Sequence, residues 1–456
     1  MIYTIDRDKA ITLDVLNDYV MKHLNGQRRA EQLKLKQAYL GQYDILRQVK
    51  PQYKPNNKLV NNFAKYIVDT FCGFFDGKPL TVSSQNETVQ EAVNRFNDLS
   101  IIEFKNYELV KRAAIFGNCY ELIYQTEEGE TKDAVLDPLD TFVVYDDTVD
   151  QRPVFGVTYR INTESKLEGE MYTNDTVYSF SGDTGSITTL NEVGRNEYYD
   201  VPLIEYRFNT ERQGIFENVL GLINAYNLTL SEKANDVAYF ADAYLIITGA
   251  DIATDGLSQE EALDKMLENV RDNRTMYIPD NGYDGTNKPE IKFLNKPESD
   301  VTQENLLRTL RENIFRLSMV ADISDEAFGT SSGIALQYKL QPMRDLAKAV
   351  QQNIVLALRH RYKMVFSFAK NISPALANEW QTLEFNFFEN LPIDSEDIAD
   401  TLASLGVRVS EETALKLAGI DNPLEELDRI KKEEDTAGDK MDYQIGFNAG
   451  GGSNEE

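Results

Sequence analysis

Residues 334–370 set the tightest limit on what this chain can fold into. Leu336, Leu340, Met343, Ala347, Val350, Ile354, Leu358 and Tyr362 recur at steps of three and four, which predicts a helix whose apolar stripe holds for about eight turns. Pro342 lies inside the pattern, where a missing N–H and a ring clash either kink the helix or restart it. Two other long helices are predicted upstream. One runs from Gly214 to Ala241, with Ile215, Val219, Leu222, Ile223, Tyr226 and Leu230 as its apolar stripe and an Asn-rich opposite face. The other spans 299–321, with Ser299 as N-cap.

The remaining pattern alternates between two periods. Helices are predicted within 6–50 (Leu13, Leu16, Val20 and Leu24 forming one stripe), over "NKLVNNFAKYIVDTFCGFF" with Leu59, Phe63, Ile67, Val68 and Phe71 on one side, and within 88–116. From Tyr120 to about residue 209 apolar and polar residues alternate between Gly, Asn and Asp turns, as in antiparallel hairpins. Residues 242–298 read as strand, helix, strand and strand. "WQTLEFNFFENLP" is strand-like, and the segment after Leu391 carries 17 acids against 6 Lys/Arg, with a Gly-rich end expected to be disordered. The fold class is α+β.

At 456 residues the chain exceeds what one core supports, about 250–300 residues, so more than one domain is expected. No apolar run reaches the roughly 18–20 residues that span a bilayer, and the first sixteen residues hold no signal core, so a soluble protein without a membrane partner is expected. Cys72 and Cys119 lie outside any metal or disulfide spacing and read as buried reduced thiols. Histidine is limited to His23 and His360, which disfavours imidazole-based or zinc hydrolysis; His360 is expected on the surface. A net charge of −28 repels polyanions and excludes tight nucleic-acid binders, but not a surface that DNA slides past.

Motifs for chemistry fail on spacing. In "GFFDGKP" (73–79) three residues separate the glycines and Pro79 follows Lys78, so no hydroxyl can reach magnesium as in a P-loop. Asp146, Asp147 and Asp150 could form a two-metal nuclease cluster, but neighbours on a strand point to opposite faces. "GTSSG" (329–333) lacks the G-x-S-x-G elbow, and its nearest histidine is His360. It reads as a mobile loop entering a helix, with Ser331 or Ser332 as cap.

Five stretches in order carry a resemblance: "NNKLVNNFAKYIVDTFCGFFDGKP", "AAIFGNCYELIYQTEEGETKDAVLDPLDTFVVYDD", "VPLIEYRFNTERQGIFENVLGLINAYNLTLSEKAND", "FGTSSGIALQYKL" and "NPLEELDRIKKEE". Together they resemble the portal, or head-to-tail connector, proteins of tailed double-stranded-DNA bacteriophages with long non-contractile tails. The resemblance implies a ring, typically of twelve subunits, at one capsid vertex, with a wing (1–213 and 371–390), stem helices (214–241 and 299–321), a clip (242–298), a tunnel loop (322–333), a long kinked wing helix (334–370) and a crown with an acidic tail (391–456). It implies DNA passing without sequence recognition, and the terminase motor, head-completion, major capsid and scaffolding proteins as partners. The virion is the implied location, with the host cytoplasm during assembly. Phe328, Thr330, Ser331 and Ser332, with Lys339, are the expected DNA-facing residues. No enzyme activity, catalytic residue, metal or cofactor is expected. The alternatives are a metal-dependent nuclease or phosphatase using the three aspartates, or another ring-forming capsid adaptor.

Overall fold

A computed structural model describes residues 2–51, 54–198, 200–240, 245–248, 258–271, 275–278, 290–293, 300–324 and 333–388, with 410, 411, 413, 415, 426, 427 and 429–431. The chain divides into two units, one of residues 1–331 and 335–389 and one of 332–334 and 390–456. The first unit is α+β, and most of its strands pair antiparallel.

Its first layer is a six-stranded sheet in the order β1 (Tyr3–Ile5), β5 (Thr141–Asp146), β6 (Pro153–Ile161), β7 (Lys166–Thr173), β8 (Thr176–Asp183) and β9 (Ser186–Arg195). Only β1 with β5 is parallel; the others follow as hairpins. Inward positions Phe155, Val157 and Tyr159 alternate along β6, as a one-sided sheet requires. They meet helix α1 (Leu13–Leu24), which Thr12 caps by accepting from the Val15 N–H. Leu16 and Val20 of the predicted stripe are wholly buried there.

The opposite face of β5 packs Val143 and Tyr145 on Val201, Leu203 and Tyr120. These belong to a three-stranded antiparallel sheet, β10 (Leu203–Arg207), β3 (Asn118–Gln125) and β4 (Thr131–Leu136), and its approaches. Against this sheet lies α5 (Ile102–Phe116), preceded by α4 (Glu87–Ser100). Gly117 ends α5 at φ +89°, and the backbone of Arg212 passes so close that a Cβ would lie 2.0 Å from its carbonyl oxygen. Only glycine fits on both counts. The other helices flanking α5 are α2 (Gln27–Tyr39) and α3 (Phe63–Phe75), and β2 (Lys78–Ser83) pairs with β14 (Glu384–Phe388). Cys72 and Cys119 are free and buried, as expected.

Helix α6 (Leu220–Phe240) follows a short 3-10 turn at Glu217–Val219, so it starts later than Gly214. Gly214 instead donates its N–H to Glu217 Oε2 at 2.8 Å, and Ile215 donates to Ala114 O, which pins the entry to the end of α5. Beyond α6 come β11 (Leu245–Thr248), α7 (Gln259–Arg271), β12 (Thr275–Ile278) and β13 (Glu290–Phe293), with β11 in the centre of a three-stranded sheet. Then α8 (Asp300–Ser318) returns, and α9 (Gly333–Ser367) forms the long helix. Helix α9 runs through Pro342 as one element. Tyr338, whose carbonyl loses the Pro342 N–H, is 77% exposed, so water can take that bond.

Candidate functional site

Three polar constructions fix the long helices of the first unit. The first joins α6 and α8, which run antiparallel: Asn218 Nδ2 donates to Leu317 O at 3.0 Å near one end. Towards the other, Lys233 Nζ lies 2.5 Å from Glu304 Oε2, and Gln303 Nε2 donates to Asp236 Oδ2 at 3.1 Å. Leu307, Leu310 and Ile314 give α8 its buried face.

The second explains the Asn-rich face of α6. Asn57, Leu59 and Asn61 donate their backbone N–H groups to Asn235 Oδ1, Ser231 Oγ and Asn227 Oδ1 at 2.6, 2.9 and 2.8 Å. Alternate residues of an extended chain advance about 6.7 Å, and four residues of a helix about 6.0 Å, so the two registers nearly match. Asn227, Ser231 and Asn235 are buried beneath this strap, and Lys50 donates to both oxygens of Glu232 at 2.7 Å beside it. The helix predicted from Asn57 therefore begins only at Phe63, capped by Asn62, and Leu59 is exposed rather than on its apolar face. Side-chain capture of the strap amides wins over the helical period. The sequence signal for this was the four-residue spacing of Asn227, Ser231 and Asn235 on that face.

The third construction anchors α9. Arg361 is fully buried; its Nε donates to Glu121 Oε2 at 2.9 Å and its Nη1 to Asn106 Oδ1 at 2.8 Å. Nη2 stands 2.8 Å from Glu121 Oε1, an ion-pair contact bent too far to be a hydrogen bond. Tyr206 donates its hydroxyl to the same carboxylate at 2.7 Å. Nearby Asp133 is buried, and burial, with the Glu121 carboxylate close by, pushes its acid up to about 6. One helical turn before Arg361's neighbour Lys363, His360 is half-buried, not a surface residue. Its Nε2 lies 3.4 Å from Asp200 Oδ2, to which Lys363 Nζ donates at 2.6 Å. Burial would raise the Asp200 acid, but these two partners hold it well below the usual carboxylate range.

A polar cavity of about 40 Å³ lies at the junction of α1, α2 and the two sheets, lined by His23, Gln32, Asn118, Tyr120, Glu205 and Arg212 among others. His23 donates from Nε2 to Pro138 O at 3.0 Å and accepts from Tyr159 at Nδ1. Burial lowers its imidazolium to about 4, so it stands neutral in one tautomer and packs on Phe142. Glu205 and Arg212 pair in a two-pronged bridge at 2.6 and 2.7 Å. The cavity's polar groups bond to one another and to the surrounding backbone carbonyls.

The three candidate aspartates do not converge. Asp146 Oδ1 accepts from Thr148 N, Thr148 Oγ1 and Arg152 N at 3.2, 2.7 and 3.1 Å, which closes a turn after β5 and lowers its acid, the Thr148 hydroxyl first. Asp147 is exposed, and Asp150 pairs with Arg152 in solvent. Among the described residues no group of three His, Cys, Asp or Glu side chains could hold a metal ion. Phe328, Thr330, Ser331 and Ser332, like Ser299, lie outside the described residues. Lys339 is exposed in the second turn of α9.

Residues 20–440 match the family described as phage portal protein, SPP1 Gp6-like. The chain is similar to the portal protein of Bacillus phage SPP1, 24% identical over 402 residues that cover 83% of this chain and 76% of the relative. Among solved structures it resembles a chain from the neck of an empty GTA particle computed with C6 symmetry, at 12% identity and a TM-score of 0.46, covering 78% of this chain and 90% of that one. With more than half of its length matched, this chain belongs to the SPP1 Gp6-like family of phage portal proteins.

Proposed function

We propose that twelve copies of this chain close into a ring at one capsid vertex, forming the channel through which double-stranded DNA is packaged and later ejected. The ring is also the docking platform for the terminase motor and then for head-completion and tail proteins, with major capsid and scaffolding proteins around it. Assembly takes place in the host cytoplasm, and the ring ends in the virion. Among the described residues no helix is long and apolar enough to cross a membrane.

The observation that most supports this reading is the excursion between α6 and α8. The chain leaves the wing (1–213 and 371–390) on α6, builds the small β11–α7–β12–β13 module and returns antiparallel on α8. We assign α6 and α8 to the stem (214–241 and 299–321), the module between them to the clip (242–298), 322–333 to the tunnel loop, α9 to the wing (334–370) and 391–456 to the crown. Head-to-tail contacts repeated around an axis close a ring without free ends. A net charge of −28 keeps passing phosphates from adhering to the wall. Phe328, Thr330, Ser331 and Ser332, with Lys339 more weakly, are the DNA-facing residues. The role is mechanical rather than enzymatic: the Asp146 carboxylate is committed to its turn.

Deleting 324–332 tests the assignment. Intact rings of unchanged subunit number that package or retain DNA poorly are expected; rings that fail to assemble would contradict it.

A further inference from the structure

Asp322 sits beside Arg311, although eleven residues and the end of α8 separate them. Arg311 Nε donates to Asp322 Oδ2 at 2.8 Å, its Nη2 lies 2.7 Å from the same oxygen, and Nη2 donates to Ser324 Oγ at 2.9 Å. Ser324 completes the triangle, donating its N–H and its hydroxyl to Asp322 Oδ1 at 3.2 and 2.6 Å. Both partners' donors thus converge on one carboxylate. The reversal that makes this possible is Met319, left-handed at φ +59° just past the last turn of α8. Val320 is buried behind it. Ile323 donates its N–H to the Tyr66 hydroxyl of α3 at 3.0 Å, and the Tyr66 ring stands edge-on to Phe315 at 5.6 Å. The chain leaving α8 is therefore folded back along that helix before it goes on to 325–332.

We propose that Arg311 is a positioning residue for the DNA-facing segment. Its clasp on Asp322 and Ser324 sets the direction in which the chain departs from α8, an inference that rests on the tunnel reading above. The guanidinium is 43% exposed, and exposed ion pairs add little to the stability of a whole fold. A short leg with few other anchors is a different matter. There, a planar fork that holds a carboxylate and a hydroxyl at once selects one orientation, which a lysine ammonium cannot reproduce.

The test uses full-length rings carrying Arg311→Ala, Arg311→Lys or Asp322→Asn, and the reversed pair Arg311→Asp with Asp322→Arg. Amide hydrogen exchange at Ile323 and Ser324 is expected to quicken by about tenfold or more in the three single variants, with exchange in the six-stranded sheet and ring mass unchanged. DNA packaged per head should fall severalfold in the same variants, and the reversed pair should recover part of both effects. Unchanged exchange in Arg311→Ala would show that the clasp holds nothing and would overturn the inference. Faster exchange with normal packaging, while the 324–332 deletion does impair packaging, would overturn the positioning role and leave the tunnel reading standing. If neither the variants nor the deletion affects packaging, the tunnel reading falls and takes the positioning role with it.

Discussion

Arg361 and Glu121, 240 residues apart in sequence, form an ion pair from which water is fully excluded, and through it α9 is fixed to the centre of β3. Removing one partner leaves a buried, uncompensated charge. Arg361→Met alone is expected to cost about 3–5 kcal/mol in urea unfolding, and the double change Arg361→Met with Glu121→Leu should recover most of it. A single change that costs nothing would mean that water reaches the pair.

Asp133 and His23 are two buried groups that pull acid stability in opposite directions. Burial raises Asp133 to about 6 from 3.8, so the folded state binds its proton more tightly than the unfolded chain; this stabilises below pH 4 and is lost as pH rises to 6. His23 is lowered to about 4 from 6.5, so its contribution is present above pH 6.5 and lost as pH falls to 4. Asp133→Asn should therefore raise stability at pH 8 by on the order of 2 kcal/mol and steepen the loss between pH 6 and 4, where His23 is then opposed by Asp76, which burial raises to about 7, but no longer by Asp133. Chemical unfolding across that range measures both signs.

The strap on α6 can be loosened without breaking the core. Ser231→Ala removes the bond to the Leu59 N–H, a loss of roughly 0.5–1.5 kcal/mol, the net worth of one part-buried hydrogen bond. Hydrogen exchange at Leu59 should accelerate most, and at Asn57 and Asn61 less. Uniform acceleration across the whole chain would instead mean that the strap is part of the global folding unit.

Gly117→Ala meets both a left-handed backbone and the Arg212 carbonyl 2.0 Å away. The chain would have to move at the entry to α6, and a loss of more than about 4 kcal/mol, or failure to fold, is expected. Gly185, with nothing near its missing Cβ, is the control: Gly185→Ala should be nearly silent in the same thermal unfolding assay.

Periodic features were legible in the sequence because burial enforces them. The α9 stripe from Leu340 to Tyr362 is buried as spaced, and the hairpins after Tyr120 form most of the six-stranded and three-stranded sheets. What periodicity could not reveal was polar and long-range. Leu59 fits a helical stripe, yet its amide is claimed by Ser231, 172 residues away. Arg361 looked like one more helix charge until Glu121 and Asn106 arrived from other elements. His360 likewise faces Asp200 rather than water. The spacing of the Asp146 cluster gave no hint of the Thr148 and Arg152 donors that account for the burial of its first aspartate. The expected DNA-facing residues came from family resemblance, and of them only Lys339 is among the described residues.

The central claim is that copies of this chain close around a hole. Electron microscopy of the purified full-length protein, with light scattering on the same sample, tests it most directly. The account predicts rings with an axial opening and a mass near twelve times the 51.9 kDa of one chain. Compact particles without an opening, or the mass of a monomer or dimer, would contradict it.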